Sequence, residues 1–247
     1  MALNIDTDFN FTSDCKYWES YNKGHSDIDP DTYSPRLRLY QQILYSRKTP
    51  SGKTLNLTQG KDKKYDYLIY DNIRFGSDNI INMCERYDLS WSREANIDNY
   101  DEKIKNYILK SYTLGGEIIF PKHKNSLNVM RGRNHKIKDR FDLTLECIRR
   151  FYEDNTSPLY NILKTDEQFF KLFGKGHEGF KAYVDFFFLN DLVRDDYTKI
   201  KLFFGDEKDV FIRNPLPQNK TEWDQLLKNQ MIFLEKRNQR IKNFVTD

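Results

Sequence analysis

The pattern of apolar and polar positions changes twice between residues 111 and 152. Residues 118–120 are apolar, follow two glycines and precede Pro121, which is typical of a short buried strand. A polar stretch follows. Apolar residues then recur at the spacing of one helix face. These residues are Ile137, Phe141, Leu145, Ile148 and Tyr152. The pattern therefore predicts a strand, a long loop and an amphipathic helix.

Helical spacing predicts further helices along the chain. Ser34 followed by Pro35 is a cap with proline at the first helical position, so we expect a helix at residues 35–46. Apolar periodicity predicts others at residues 99–109 and 180–193, and a C-terminal helix at residues 221–243.

Alternating segments predict the remaining strands. The run YDYLIYDNIRF predicts a strand near Tyr67, and a later alternation predicts one near Leu202. With the strand near Ile118, these indicate an α+β fold, in which a small mixed or antiparallel sheet carries packed helices. The chain has no internal repeat and no long linker, so we expect a single domain over residues 1–247, with residues 1–30 as an irregular arm.

Composition limits the class of protein. Charged residues make up 31 % of the chain, the mean hydropathy is -0.82, and no apolar run approaches the ~20 residues that cross a bilayer. The N-terminal residues lack the basic-then-apolar order of a signal peptide, so we expect a cytoplasmic protein without membrane contact. Three dispersed cysteines and four histidines form no metal-ligand motif, and no metal site is predicted.

Positive charge is concentrated in one stretch although the net charge is only +3. Between residues 121 and 140 only Asp139 opposes the cations. Basic residues before a helix N-terminus suit phosphate or carboxylate. The alternative is a solvated loop, with Glu146 and Arg150 as an ordinary i, i+4 pair. The cations are Lys122, Lys124, Arg131, Arg133, Lys136, Lys138 and Arg140.

Three segments carry a resemblance to a known family. The runs YTLGGEIIFP, MRGRN and KIKDRFDLTLECIRRFY resemble an uncharacterised bacterial family, a domain of unknown function. The likeness extends upstream and downstream and covers most of the chain. It implies family membership and no established reaction.

One candidate chemistry is ADP-ribosyl transfer from NAD. Ser111 and Thr113 would lie on one face of a strand, and they resemble the Ser-x-Ser/Thr strand of such transferases. The E-x-E or Q-x-E motif of one branch of that superfamily is absent. The candidate cations for the pyrophosphate are Arg36, Arg38 and Arg131, and the candidate carboxylates are Glu146 and Asp142.

A second candidate chemistry is phosphodiester cleavage, in which Arg131 and Arg133 would hold a phosphate and His135 would move a proton. This resembles the Arg and His of helical ribonuclease toxins. Those proteins place four to six residues between the pair, whereas three separate Arg131 from His135.

The sequence thus predicts a bacterial effector or toxin-like enzyme that acts on RNA or a nucleotide, with NAD as possible co-substrate. Glu146 would be the catalytic carboxylate, and Arg131 and Arg133 would hold phosphate. The alternatives are ribonuclease-type cleavage, a non-catalytic module that binds nucleic acid or an acidic protein, and an aromatic-rich protein that packs against a partner chain.

Overall fold

A computed structural model describes residues 3–17, 29–61, 66–80, 100–206, 208 and 210–246. Within them the buried apolar side chains form one contiguous cluster. The protein is an α+β protein, as predicted. The helices of the described part are α1 (Pro30–Tyr33), α2 (Pro35–Tyr45), α3 (Tyr100–Ser111), α4 (Leu127–Arg133), α5 (Phe141–Tyr152), α6 (Tyr160–Thr165), α7 (Glu167–Phe170), α8 (Gly176–Phe186) and α9 (Lys220–Thr246).

The sheet contains four antiparallel strands in sequential order. Helix α2 packs against its first two strands, and α4 packs against its last. The predicted strands near Tyr67 and Ile118 are confirmed. The strands are β1 (Thr58–Lys61), β2 (Asp66–Tyr70), β3 (Ile73–Asn79) and β4 (Glu117–Pro121).

The segment predicted as one strand around Tyr67 is a hairpin. Strands β2 and β3 pair in antiparallel register, with Tyr70 opposite Ile73. Asp71 turns the chain with a φ of 50°, in the left-handed region that Asp and Asn tolerate better than other non-glycine residues. Period-2 alternation continues through a two-residue turn, which is why the sequence pattern did not reveal the break.

The prediction of a strand near Leu202 is wrong. Ile200 forms a single bridge with Val193, and the chain then leaves extended pairing. Side chains form the hydrogen bonds to the backbone that a neighbouring strand would otherwise form. The Phe203 N–H donates to Asp142 Oδ2 at 2.8 Å, and Asn229 Nδ2 donates to the Phe203 carbonyl at 2.7 Å. Because these partners replace a neighbouring strand, alternation alone could not predict the conformation.

The central segment is confirmed in part. Strand β4 and helix α5 are present, and the five apolar residues of the predicted face, Ile137, Phe141, Leu145, Ile148 and Tyr152, are buried. The predicted loop contains helix α4, whose carboxyl end supplies Arg131 and Arg133. Helix α5 is also less amphipathic than predicted, because every residue from Phe141 to Ile148 is buried.

Helix ends follow local chemistry. Ser34 caps α2 as predicted, with its Oγ accepting from the Leu37 N–H at 3.0 Å. The aromatic helix predicted at residues 180–193 ends earlier, at Phe186. Phe188 adopts a φ of 58°, which no continuing helix can contain. The C-terminal helix is α9, and Asn219 Oδ1 accepts from the Glu222 N–H at 3.0 Å at its start.

Two glycines give a matched test of this packing. A Cβ on Gly116 would lie 1.7 Å from the Ser111 carbonyl oxygen, whereas a Cβ on Gly132 in α4 would meet Asp139 at an ordinary 3.8 Å. We expect Gly116→Ala to lower the free energy of unfolding by about 3 kcal/mol or more, since backbone must move. Gly132→Ala should raise it by about 0.5–1 kcal/mol through helix propensity.

Urea unfolding of the two variants checks this expectation. Equal effects of the two substitutions would contradict the close approach of residues 111 and 116.

Candidate functional site

On the polar side of α5, two arginines bind the carboxylate of Glu146. Glu146 is 5 % exposed, and both of its oxygens accept N–H groups. Arg149 donates from Nε at 2.8 Å and from Nη2 at 2.9 Å, and Arg150 donates from Nε at 2.7 Å. These contacts are possible because residues three and four positions apart share a helix face. The carboxylate therefore fixes the orientation of both guanidinium groups.

These side chains line one wall of a surface cleft of about 320 Å³. The other wall is the irregular segment between α8 and α9. We call this concavity the α5 cleft. Its lining residues are Glu146, Arg149, Arg150, Thr198, Lys199, Ile200, Leu202, Asp206, Lys208 and Val210.

Positive charge predominates in the α5 cleft. Four of its lining residues are cations and two are carboxylates. Hydrogen bonding to Glu146 raises the pKa of the Arg149 guanidinium, so it stays charged at every physiological pH. The Arg150 guanidinium also lies 4.9 Å from the centre of the Phe211 ring, which supports it from below. The cleft thus contains two arginines of fixed direction and two lysines. The Nε–Nη2 fork of Arg149 is taken by Glu146, whereas Arg150 donates to Glu146 from Nε and keeps its Nη groups for other contacts.

Sequence reasoning found only part of this site. It singled out Glu146, but it took Arg149 and Arg150 as helix-surface residues. It also assigned no role to Lys199 and Lys208. These two come from the segment around Leu202, which was expected to form a strand, so no sequence spacing linked them to α5.

Arg131, the predicted phosphate ligand, lies inside the protein. Its side chain is 0 % exposed. Its Nε lies 3.0 Å from Asp78 Oδ2 and 2.7 Å from Asp139 Oδ1, and its Nη2 donates to the Asn79 carbonyl at 2.9 Å. The guanidinium thus joins α4 to β3. The prediction that Arg131 is exposed is wrong, because the sequence does not show that the carboxylates of Asp78 and Asp139 lie against it.

Arg140 is also buried. It precedes α5, its Nε donates to Asp142 Oδ1 at 3.1 Å, and its Nη1 donates to the Pro215 carbonyl at 3.1 Å. Its guanidinium lies 4.1 Å from the centre of the Phe204 ring. Asp142, a second candidate carboxylate, is 0 % exposed and belongs to this pair. Both residues connect α5 to the segment before α9.

The remaining cations of the basic stretch lie nearer the surface. Arg133 and His135 are exposed, and Lys138 is half-buried with a φ of 46°. They do not line the α5 cleft. The structure therefore separates Glu146 from the basic residues with which the sequence grouped it.

The two arginines of α2 differ from each other. Arg36 is half-exposed and lies 4.1 Å from the centre of the Phe9 ring. Arg38 is 2 % exposed, and its Nη1 donates to Gln41 Oε1 at 2.8 Å. Only Arg36 can meet a ligand at the surface without rearrangement.

The strand predicted for Ser111 and Thr113 is wrong. Ser111 is the last residue of α3, and its Oγ donates to the Ile108 carbonyl at 2.9 Å. Thr113 precedes a 3₁₀ turn, and its Oγ1 donates to the Lys110 carbonyl at 3.0 Å. Both hydroxyl groups therefore donate to the preceding helical backbone, and neither lies in the α5 cleft.

A buried carboxyl that the sequence did not reveal lies on β4. Glu117 is 0 % exposed. Ser77 Oγ donates to its Oε2 at 2.9 Å, and Asn79 Nδ2 lies 3.3 Å from its Oε1. Burial raises the pKa of Glu117 well above its usual range. Ser77 in turn accepts from Gln41, so a chain of hydrogen bonds connects Glu117 to Arg38.

Metal and thiol chemistry find little support in the described ranges. No three His, Cys, Asp or Glu side chains there are placed to share a metal ion. Burial raises the pKa of the Cys147 thiol to about 12, so it is a poor nucleophile at neutral pH. None of the helices described has the length and apolar character needed to cross a bilayer.

The two arginines of α4 allow a direct test of a structural role. Arg131→Met would leave Asp78 and Asp139 without their buried counter-ion, and we expect the free energy of unfolding to fall by about 3–5 kcal/mol. Arg133→Met removes the same charge from the exposed end of the helix, and its effect should stay within about 0.5 kcal/mol. Denaturant unfolding measures both. A stable Arg131→Met protein would contradict the structural role.

The raised pKa of Glu117 predicts a pH dependence of stability. The folded state retains the carboxyl proton above the ordinary value of 4.5, while the unfolded state loses it. The free energy of unfolding of the wild type should therefore fall relative to Glu117→Gln as pH rises above 4.5, by at most about 1.4 kcal/mol per pH unit.

Urea unfolding across this pH range measures the difference. Glu178→Gln, which changes an exposed carboxyl, is the control. If the two variants follow the same pH profile, the buried carboxyl is not the titrating group.

Comparison with known proteins gives membership in a family and nothing about activity. No curated protein and no solved structure matches the chain. Residues 5–241 match a family described as a family of unknown function, DUF6994. This match spans nearly the whole sequence and agrees with the resemblance in the central segment. The chain belongs to the DUF6994 family of unknown function.

Proposed function

We propose that this protein binds the phosphate groups of RNA or of a nucleotide in the α5 cleft. The observation that carries the proposal is a surface concavity lined by four cations, of which two are arginines held in fixed directions by Glu146. The two Nη groups of Arg150 match a pair of phosphate oxygens, while Arg149 is taken up by Glu146 and adds positive charge. A preorganised fork loses less conformational freedom on binding than a mobile side chain.

In this proposal the two walls of the cleft have separate roles. Arg149 and Arg150 are rigid because each is tied to Glu146, and Arg149 also donates to both Glu153 oxygens at 2.8 Å. Lys208 is exposed on the opposite wall. A phosphate between the walls would contact an oriented guanidinium on one side and a lysine on the other.

NAD-dependent ADP-ribosyl transfer is the catalytic form of this proposal: the bond between nicotinamide and ribose breaks, nicotinamide leaves, and an acceptor atom bonds to the ribose and loses its proton. That reaction uses a carboxylate close to a cation that holds a pyrophosphate, and Glu146 lies beside Arg149 and Arg150. The cleft also contains one hydroxyl group, that of Thr198. Ser111 and Thr113 do not contribute to this form, since they lie elsewhere.

Phosphodiester cleavage and non-catalytic binding are the alternatives. Cleavage by Arg131 with His135 has no geometric support, because the Arg131 guanidinium is buried between Asp78 and Asp139. The exposed pair for such a site would be Arg133 and His135. A binding module would use the same cleft contacts without turnover.

The test compares two variants that remove equal charge. Arg150→Gln/Lys208→Gln changes the α5 cleft and leaves Glu146 paired with Arg149. Arg133→Gln/Lys136→Gln changes the exposed basic stretch. We expect the cleft variant to bind a short labelled single-stranded RNA about tenfold or more weakly, and the control to bind nearly as tightly as wild type. Fluorescence anisotropy measures the affinity.

Three readouts separate the forms of the proposal. Wild-type affinity should fall with a linear log–log dependence on salt between about 50 and 200 mM. A mass addition to RNA or protein that requires NAD indicates transfer, shortened RNA indicates cleavage, and unchanged RNA indicates binding alone. The proposal is overturned if RNA and nucleotides fail to bind, or if only the basic-stretch variant loses affinity.

A further inference from the structure

Arg47 lies in a cage of aromatic rings just after α2. Its guanidinium carbon is 4.3 Å from the ring centre of Phe186, 4.6 Å from that of Phe188 and 4.5 Å from that of Phe244. Its Nη2 donates to the Phe186 carbonyl. Phe188 reaches this position because its left-handed backbone ends the run of helix α8. Two segments, the end of α8 and the end of α9, therefore converge on this cation.

The guanidinium of Arg47 differs from those of Arg131 and Arg140 because it has no carboxylate counter-ion. In the part of the chain that the structure describes, no carboxylate lies within salt-bridge distance of it, whereas Arg131 and Arg140 both have one. Burial lowers the pKa of Arg47 to about 10, so the group remains charged at neutral pH.

The rings do not satisfy the hydrogen-bonding capacity of this group. Aromatic faces attract the guanidinium from above and below its plane, while its five N–H donors point outward within the plane. Among the described residues only the Phe186 carbonyl accepts from one of them, and Nε is buried without an acceptor. Because Nε is closed to solvent, an external acceptor would meet the Nη groups, of which Nη1 is not among the buried donors.

Arg47 also lines a cavity of about 390 Å³, which is large enough for a small organic molecule. Lys48 and Lys181 add two cations, and Glu178 and Asp185 add two carboxylates. Asp185 already accepts from the Tyr197 hydroxyl at 2.8 Å. The lining therefore carries one positive charge in excess. The apolar part of the wall comes from Pro50, Ala182 and Phe186.

We propose that this cavity binds a small organic carboxylate through Arg47, with the apolar body of the ligand against Phe186. A single negative charge matches the single excess positive charge, and two carboxylate oxygens match the in-plane N–H donors of a guanidinium. Phosphate would bring a second charge and no apolar body. The cavity shares no lining residue with the α5 cleft, so this inference does not depend on the proposed function.

The probes are benzoate, its neutral isostere benzamide, and acetate, which lacks the ring. Isothermal titration at low salt should give a millimolar Kd for benzoate, and benzamide and acetate should each bind at least about tenfold more weakly. Arg47→Met should abolish benzoate binding.

A second variant keeps the test decisive if Arg47→Met does not fold. Lys48→Gln/Lys181→Gln changes only the rim and should weaken benzoate binding about threefold to tenfold, while Lys175→Gln, an exposed control, should not. The proposal is overturned if benzoate does not bind, if benzamide binds equally well, or if neither cavity variant changes the affinity.

Discussion

The guanidinium of Arg237 joins parts of the chain that are far apart in sequence. It is completely buried, and its N–H groups donate to the Phe187 carbonyl at 3.1 Å, the Glu117 carbonyl at 3.0 Å and the Tyr45 hydroxyl at 3.1 Å. One side chain of α9 thus holds the end of α8, the start of β4 and the end of α2. A buried cation requires these acceptors, so the elements that supply them have little freedom to move.

The same requirement applies to two cations of the central segment. Arg131 connects α4 with β3 through Asp78 and Asp139, and Arg140 connects α5 with the stretch before α9 through Asp142 and two carbonyls. The loop that looks most basic in the sequence is therefore partly neutralised inside the protein. Part of its positive charge therefore stabilises the fold.

The cations on which the two binding proposals rest lie elsewhere. In the α5 cleft, Glu146 orients Arg149 and Arg150, and the Arg150 side chain stays one-third exposed. At the end of α2, Arg47 is desolvated by rings instead of being paired with an acid. The two sites thus fix a guanidinium group in physically different ways. We propose a multiply charged ligand for the first and a carboxylate with an apolar body for the second.

The sequence by itself determined the local elements whose signals are local. The cap and proline at the start of α2, the breakers around β4 and the apolar spacing of α5 depend on neighbouring residues, and all three were predicted correctly. The membership in an uncharacterised family was also evident from the central segment. Tertiary structure decided which charges are buried and which strands pair. Asp78 reaches Arg131 and Asp142 takes the Phe203 N–H across 53 and 61 positions, and no periodicity records such contacts. The α5 cleft could not be predicted for the same reason. Lys199 and Lys208 lie opposite α5 because the chain between α8 and α9 hydrogen-bonds to side chains instead of pairing as a strand.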